Sequence, residues 1–100
     1  MKAIETSGLG KAWTDGDLGH GPAYAFSSPD GHNMEIYYET EWYKAPPALT
    51  PALKNQAQRF PARGVSVRRL DHMNLLTSDV ASLRRFVEEV LGLRTTEMIV

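Results

Sequence analysis

The sequence predicts an α+β chain built from two unlike pieces, a β-hairpin followed, after a long linker, by a strand-helix-strand unit. Three observations carry this. Two runs of alternating residues flank the turn Ser28-Pro29-Asp30-Gly31. A proline-rich stretch from Ala45 to Gly64 has little apolar periodicity. Beyond it, a helical apolar stripe lies between two strand-like segments.

In chain order, residues 2–8 are too short to carry a helix of their own, and Leu9-Gly10 marks a helix end or the start of a loop. Thr14-Asp15-Gly16-Asp17-Leu18-Gly19-His20-Gly21 is turn-rich and polar, hence a loop. From Pro22 to Ser28, Tyr24 and Phe26 alternate with Ala23, Ala25 and Ser27. In Ser28-Pro29-Asp30-Gly31, proline presets φ at the second turn position and Gly closes the turn. Asn33 to Tyr38 alternates again, with Met34, Ile36 and Tyr38 opposite Asn33, Glu35 and Tyr37. Two such runs about one turn make a hairpin.

Ala45 to Gly64 contains Pro46, Pro47, Pro51 and Pro61 and reads as a linker or extended arm, with a helical turn at Ala52 to Ala57. Val65 to Thr77 reads as a strand, with Leu70, His72, Asn74 and Leu76 on one face. A helix follows, N-capped by Ser78 or Asp79, with Val80, Leu83, Phe86, Val87, Val90 and Leu91 as its apolar stripe. Arg84–Glu88 and Arg85–Glu89 are i,i+4 pairs on its solvent side. Gly92 fits the C′ position. Leu93 to Val100 begins another strand, and the sequence stops inside it. The organisation is therefore 1–44, a linker 45–64, and 65–100, each outer part having an apolar face that needs partners.

Composition excludes several classes. Hydrophobic residues make up 42% and charged residues 23% of the chain, ordinary values for a globular protein. No apolar run approaches a membrane span, no apolar leader follows Met1, and the expected location is the cytoplasm. Without cysteine there is no disulfide, thiolate nucleophile or Cys-based zinc site. The net charge of −1 gives no nucleic-acid signature. It is unevenly spread: residues 1–44 carry three Lys against seven acids, and residues 45–100 carry eight Lys/Arg against five acids. Arg59, Arg63, Arg68 and Arg69, near the linker, are most simply a solvated surface.

Two motifs resemble the vicinal oxygen chelate superfamily, which is built from repeated βαβββ modules. Ser28-Pro29-Asp30-Gly31-His32-Asn33-Met34-Glu35-Ile36 is similar to the hairpin that ends a module. Arg69-Leu70-Asp71-His72-Met73-Asn74-Leu75, with Ser78-Asp79-Val80, Phe86 and Val90-Leu91-Gly92, is similar to the strand and helix that open one. Tyr37-Tyr38-Glu39-Thr40-Glu41-Trp42-Tyr43 and the arm after it resemble the type I extradiol dioxygenases, the catechol 2,3-dioxygenase group. The resemblance implies parts of two βαβββ modules: 1–44 as the second half of one, 65–100 as the first half of the next.

It also implies a chemistry. In the extradiol dioxygenases two histidines and a glutamate hold Fe(II), with Mn(II) as an alternative metal, for an aromatic diol and dioxygen. His72 matches the first histidine. The second histidine and the glutamate would lie beyond Val100, so the set is incomplete and the chain alone is expected to be inactive. Glu35 matches a glutamate that binds metal in many superfamily members but is vestigial in the first module of the dioxygenases, so a paired or solvated strand carboxylate is the simpler reading. Asn74 could orient His72 or touch substrate, and His20 could line a substrate channel; a structural role serves either equally well. His32, in the turn, reads as structural or exposed. Tyr24, Phe26, Tyr37 and Tyr38 could stack on an aromatic ring but at strand spacing suit a core.

The leading expectation is a fragment of an extradiol ring-cleaving dioxygenase, homo-oligomeric in its parent. The alternative is a non-catalytic or glyoxalase/bleomycin-resistance-like small-molecule-binding module assembled as a swapped dimer. A further arrangement sets His72 of one chain beside Glu35 of another.

Overall fold

The structure is a computed structural model that describes residues 1–61, 64 and 70–99. It contains a three-stranded antiparallel sheet in the order β1 (Gly10–Thr14), β2 (Ala23–Ser27), β3 (Asn33–Tyr37). A short helix, α1 (Lys2–Thr6), precedes it, and α2 (Val80–Arg85) continues into a π-helical turn, Phe86–Val90. The α+β class is as the sequence predicts. The chain divides into two units, one made of Met1–Glu41 with Leu76–Val100, the other of Trp42–Leu75.

In the first unit the expected hairpin forms. Tyr24 lies opposite Ile36 and Phe26 opposite Met34, while Ala25 lies opposite Glu35 and Ala23 opposite Tyr37. The alternation therefore sends Tyr24, Phe26, Met34 and Ile36 to one face and Glu35 and Tyr37 to the other. The turn closes through Gly31 N–H donating to the Ser28 carbonyl at 2.9 Å. The core is the first of these faces covered by helix. Ile4, Tyr24, Phe26 and Phe86 are buried together, with Leu9, Met34, Leu83, Val87, Val90 and Leu91 packed around them. The rings of Phe26 and Phe86 lie 6.2 Å apart in a tilted arrangement.

The second helix starts and stops as its residues dictate. Asp79 caps it by accepting from Ser82 N–H at 3.0 Å. Gly92 follows it at φ +74°, a left-handed conformation that favours glycine. Arg84 Nε donates to Glu88 Oε1 at 3.1 Å, one of the two expected i,i+4 pairs. Val80 alone of the predicted stripe is largely exposed. The apolar faces of hairpin and helix, each expected to need partners, cover one another.

Four expectations are corrected. Residues 2–6 do form a helix, because Ile4 is buried in the core and tertiary packing offsets its shortness. Gly10 begins a strand rather than a loop; a side chain there would run into the Tyr24 ring, so glycine permits the close approach. The strand expected over 65–77 is absent from its described part, 70–77, and 65–69 lie outside the described residues. The strand expected from Leu93 is likewise absent over 93–99. A strand exists only when a neighbour accepts its backbone hydrogen bonds, and neither segment has a ladder partner among the described residues. Over the described residues, the expected strand-helix-strand unit is thus a helix between two segments without a ladder.

Over its described residues the second unit, Trp42–Leu75, is mostly irregular, as four prolines dictate. Among the described residues its helical element is a 3₁₀ turn at Pro47–Leu49, with proline at its start, while the expected turn at Ala52 to Ala57 is a hydrogen-bonded turn short of a helix. Around 52–57 the described bond is Gln56 N–H to the Leu53 carbonyl at 3.2 Å. Ala45 N–H donates to Gln58 Oε1 at 3.0 Å, and Tyr43 and Phe60 meet edge to face at 5.3 Å.

Candidate functional site

The polar face of the sheet gathers one histidine and one carboxylate. His20 leaves the loop between β1 and β2 and lays its ring over Tyr37, 4.4 Å between centroids and 15° from parallel. Its Nδ1 donates to the Gly21 carbonyl at 2.8 Å, which fixes the proton on that nitrogen. Nε2 then points to Glu35 Oε2 at 3.5 Å. A second proton, on Nε2, makes this an ion pair. The backbone holds the loop in place: Gly21 N–H donates to Glu39 O at 2.9 Å and Glu41 N–H to Gly19 O at 2.8 Å. Beside it lies a cavity of about 450 Å³ lined by Asp17, Leu18, His20, Glu39, Thr40 and Glu41 among others.

His20 and Glu35 are thus brought together. The sequence offered no sign of the pairing, which depends on the loop being pinned between β3 and the residues after it. The aromatic residues separate: Tyr24 and Phe26 are core, Tyr37 supports His20, and Tyr38 is almost fully exposed. His32 is structural. Its Nδ1 lies 2.6 Å from the buried Ser28 Oγ, and its N–H donates to the same oxygen at 3.1 Å, so the pair locks the turn.

His72 belongs to the other unit. It is exposed, and its Nδ1 sits 3.0 Å from Asp71 Oδ2. The Asp71 carboxylate accepts from Nδ1–H. Asn74 is exposed. Among the described residues no three His, Cys, Asp or Glu side chains are grouped to hold a metal ion. One imidazole alone does not make up a two-histidine-one-carboxylate site.

Asp30, at the tip of the hairpin turn, ties the sheet to the start of the second helix. It accepts from Thr77 Oγ1, from Ser78 Oγ at 2.7 Å and from Ser78 N–H at 3.2 Å. The Thr77 and Ser78 donors hold its carboxyl below the ordinary value of 3.8. A carboxylate depressed in the folded state stabilises above its unfolded pKa, and that contribution is lost as pH falls through the folded value. Wild type should therefore lose thermal stability below pH 3.8 more steeply than Asp30→Asn, which lacks this titration. Coincident melting curves from pH 5 down to pH 2 would contradict it.

No protein-family model matches the chain. It is 51% identical over 96 residues to a metapyrocatechase of Geobacillus stearothermophilus, a match that covers 96% of this chain and 29% of that protein. It is 36% identical over 83 residues to a manganese-dependent 2,3-dihydroxybiphenyl 1,2-dioxygenase of Geobacillus genomosp. 3, covering 83% of this chain and 26% of that protein. The chain spans less than a third of the length of either relative. Within that span, the chain is similar to two proteins that are both named as enzymes of aromatic-diol cleavage.

Proposed function

We propose that the chain is a segment of an extradiol ring-cleaving dioxygenase that acts on a catechol-type diol with dioxygen. The observation that carries this is the 51% identity to a metapyrocatechase over 96 residues, a stretch that contains nearly the whole chain. In this reading 1–44 closes one βαβββ module, 45–64 links, and 65–100 opens the next. His72 is the first of three metal ligands, and the remaining histidine and glutamate come from sequence beyond Val100. The metal is Fe(II) or Mn(II); the manganese-dependent relative supports keeping both. A cytoplasmic location and a homo-oligomeric parent belong to the same reading. Among the described residues no helix is long and apolar enough to cross a membrane.

His20 and Glu35 supply two groups on the sheet of the first part. They hold the hairpin and its preceding loop together, and Asn74 is the group that would orient His72 or touch substrate. Metal titration tests the assignment. The 100-residue chain and a chain extended through a complete second module are each titrated with Fe(II) or Mn(II) under anaerobic conditions. The extended chain should take up one equivalent and the short chain none. Equal uptake by both, or by neither, overturns the ligand assignment.

A further inference from the structure

The chain carries the dipeptide Asp-Gly twice, as Asp15-Gly16 in the loop that holds His20 and as Asp30-Gly31 in the hairpin turn. A protein can modify itself at this dipeptide. The glycine nitrogen attacks Cγ of the aspartate before it, an N–Cγ bond forms, a Cγ–O bond breaks, and water leaves carrying the amide proton. Glycine sets no side chain against the five-membered succinimide that results. Water then adds to either imide carbonyl. Opening at Cγ restores aspartate. Opening at the former main-chain carbonyl leaves isoaspartate, whose backbone runs through Cβ and is one atom longer.

The structure presents the two sites in opposite states. At Asp30 both reacting groups are held. Its carboxylate accepts from Thr77 Oγ1 on one oxygen and from Ser78 N–H and Oγ on the other. The nitrogen that would attack carries an N–H that donates to the Ser28 carbonyl at 2.9 Å. Turning the carboxyl onto that nitrogen breaks the tie between the hairpin and the start of the second helix. The lowered pKa of Asp30 acts in the same direction, because an ionised carboxylate is a poor electrophile. At Asp15 neither group is held: among the described residues its carboxylate accepts no hydrogen bond and Gly16 N–H donates none. Both aspartates are exposed, so access to water does not distinguish them.

The position of Asp15 gives its modification a consequence. A side-chain carbon placed on Gly16 would lie 2.5 Å from the Gly21 carbonyl oxygen, so the main chain passes that oxygen with no spare room. The same carbonyl accepts from His20 Nδ1 at 2.8 Å. An extra backbone atom at residue 15 displaces the chain from Gly21 and takes away the support that holds the His20 ring over Tyr37 and towards Glu35.

We propose that Asp15 is a site of spontaneous isoaspartate formation that releases His20 from the sheet, and that the Thr77 and Ser78 bonds protect the same dipeptide at Asp30. The proposal is independent of the ring-cleaving reading, since it involves neither His72 nor a metal.

The test ages the 100-residue chain at neutral pH, once folded and once in denaturing urea. A protease that cuts before aspartate but not before isoaspartate reads each site, and electron-transfer fragmentation fixes the position. The unfolded chain serves as the reference that cancels the effect of neighbouring residues. The ratio of isoaspartate at residue 15 to isoaspartate at residue 30 should be at least about tenfold higher in the folded chain, the factor expected from having to release a hydrogen bond to a charged group. In the purified isoaspartate form, the NMR cross-peaks between the His20 and Tyr37 rings should disappear. An equal ratio in folded and unfolded wild type overturns the proposal, as does faster reaction at Asp30. Ring cross-peaks that persist in the isoaspartate form overturn the release of His20.

Discussion

Replacing Phe86 by alanine should destabilise the unit formed by sheet and helix by about 3–5 kcal/mol, the usual cost of emptying a buried phenylalanine site. Phe86 is 5% exposed and is the helix's one fully buried residue, so it carries the contact with Phe26 that no neighbour can replace. The core around it is small: Ile4, Tyr24 and Phe26 are its other buried members, with partly exposed residues around them. A loss of that size is comparable to the whole stability of many small domains. Chemical denaturation followed by circular dichroism should show a much lower midpoint, with helical signal lost first. Leu93→Ala, at a position that is 58% exposed, should change the midpoint little. Equal effects of the two substitutions would mean that the helix does not rest on the sheet through Phe86.

The second large effect concerns His72. In a chain extended through a complete second module, His72→Ala should lower ring-cleaving activity by more than about 100-fold. Loss of a group that merely orients a metal-bound histidine already costs 10–100-fold in comparable sites, and here the ligand itself is removed. Asp71→Asn tests the contact at Nδ1 separately. If the 3.0 Å contact orients the imidazole, metal affinity should fall within about that same 10–100-fold range. His20→Ala should leave metal uptake unchanged, because His20 faces Glu35 on the sheet of the other unit. Undiminished turnover in His72→Ala would remove His72 from the ligand set.

Much of this was legible because local and long-range signals agreed. The hairpin has strict two-residue alternation on both sides of Ser28-Pro29-Asp30-Gly31, so its existence and its faces follow from the residues alone. The helix has a cap at Asp79, a stripe ending at Leu91 and a stop at Gly92, and each serves in that role. The first strand was not legible: Gly10-Lys11-Ala12-Trp13-Thr14 opens on glycine and its register shifts between Gly10 and Ala12, which spoils the alternation. The first helix depends on burying Ile4, which no five-residue window discloses. The segments 70–77 and 93–99 carry strand-like sequence, but pairing is a property of two segments and the pattern of one cannot supply it.

The candidate site shows the same division. The His72 motif was legible as sequence, since it sits in Leu70-Asp71-His72 and needs no tertiary information to match a family. The Asp71 contact at its Nδ1 is a matter of side-chain geometry. The pairing of His20 with Glu35 was invisible, because it requires the glycine-rich loop to fold back against β3 and the Glu39–Glu41 stretch. Ser28 was read only as a turn residue, yet its buried hydroxyl holds His32.

The central claim is that this chain carries one ligand of an extradiol dioxygenase whose others lie further along. It is tested most directly by measuring ring-fission product from a catechol, under dioxygen and with Fe(II) or Mn(II) supplied, for the 100-residue chain and for a chain extended through a complete second module. The account predicts ring-fission product from the extended chain and none from the short one. Product from the 100-residue chain alone, or none from an extended chain that folds and binds metal, would contradict it.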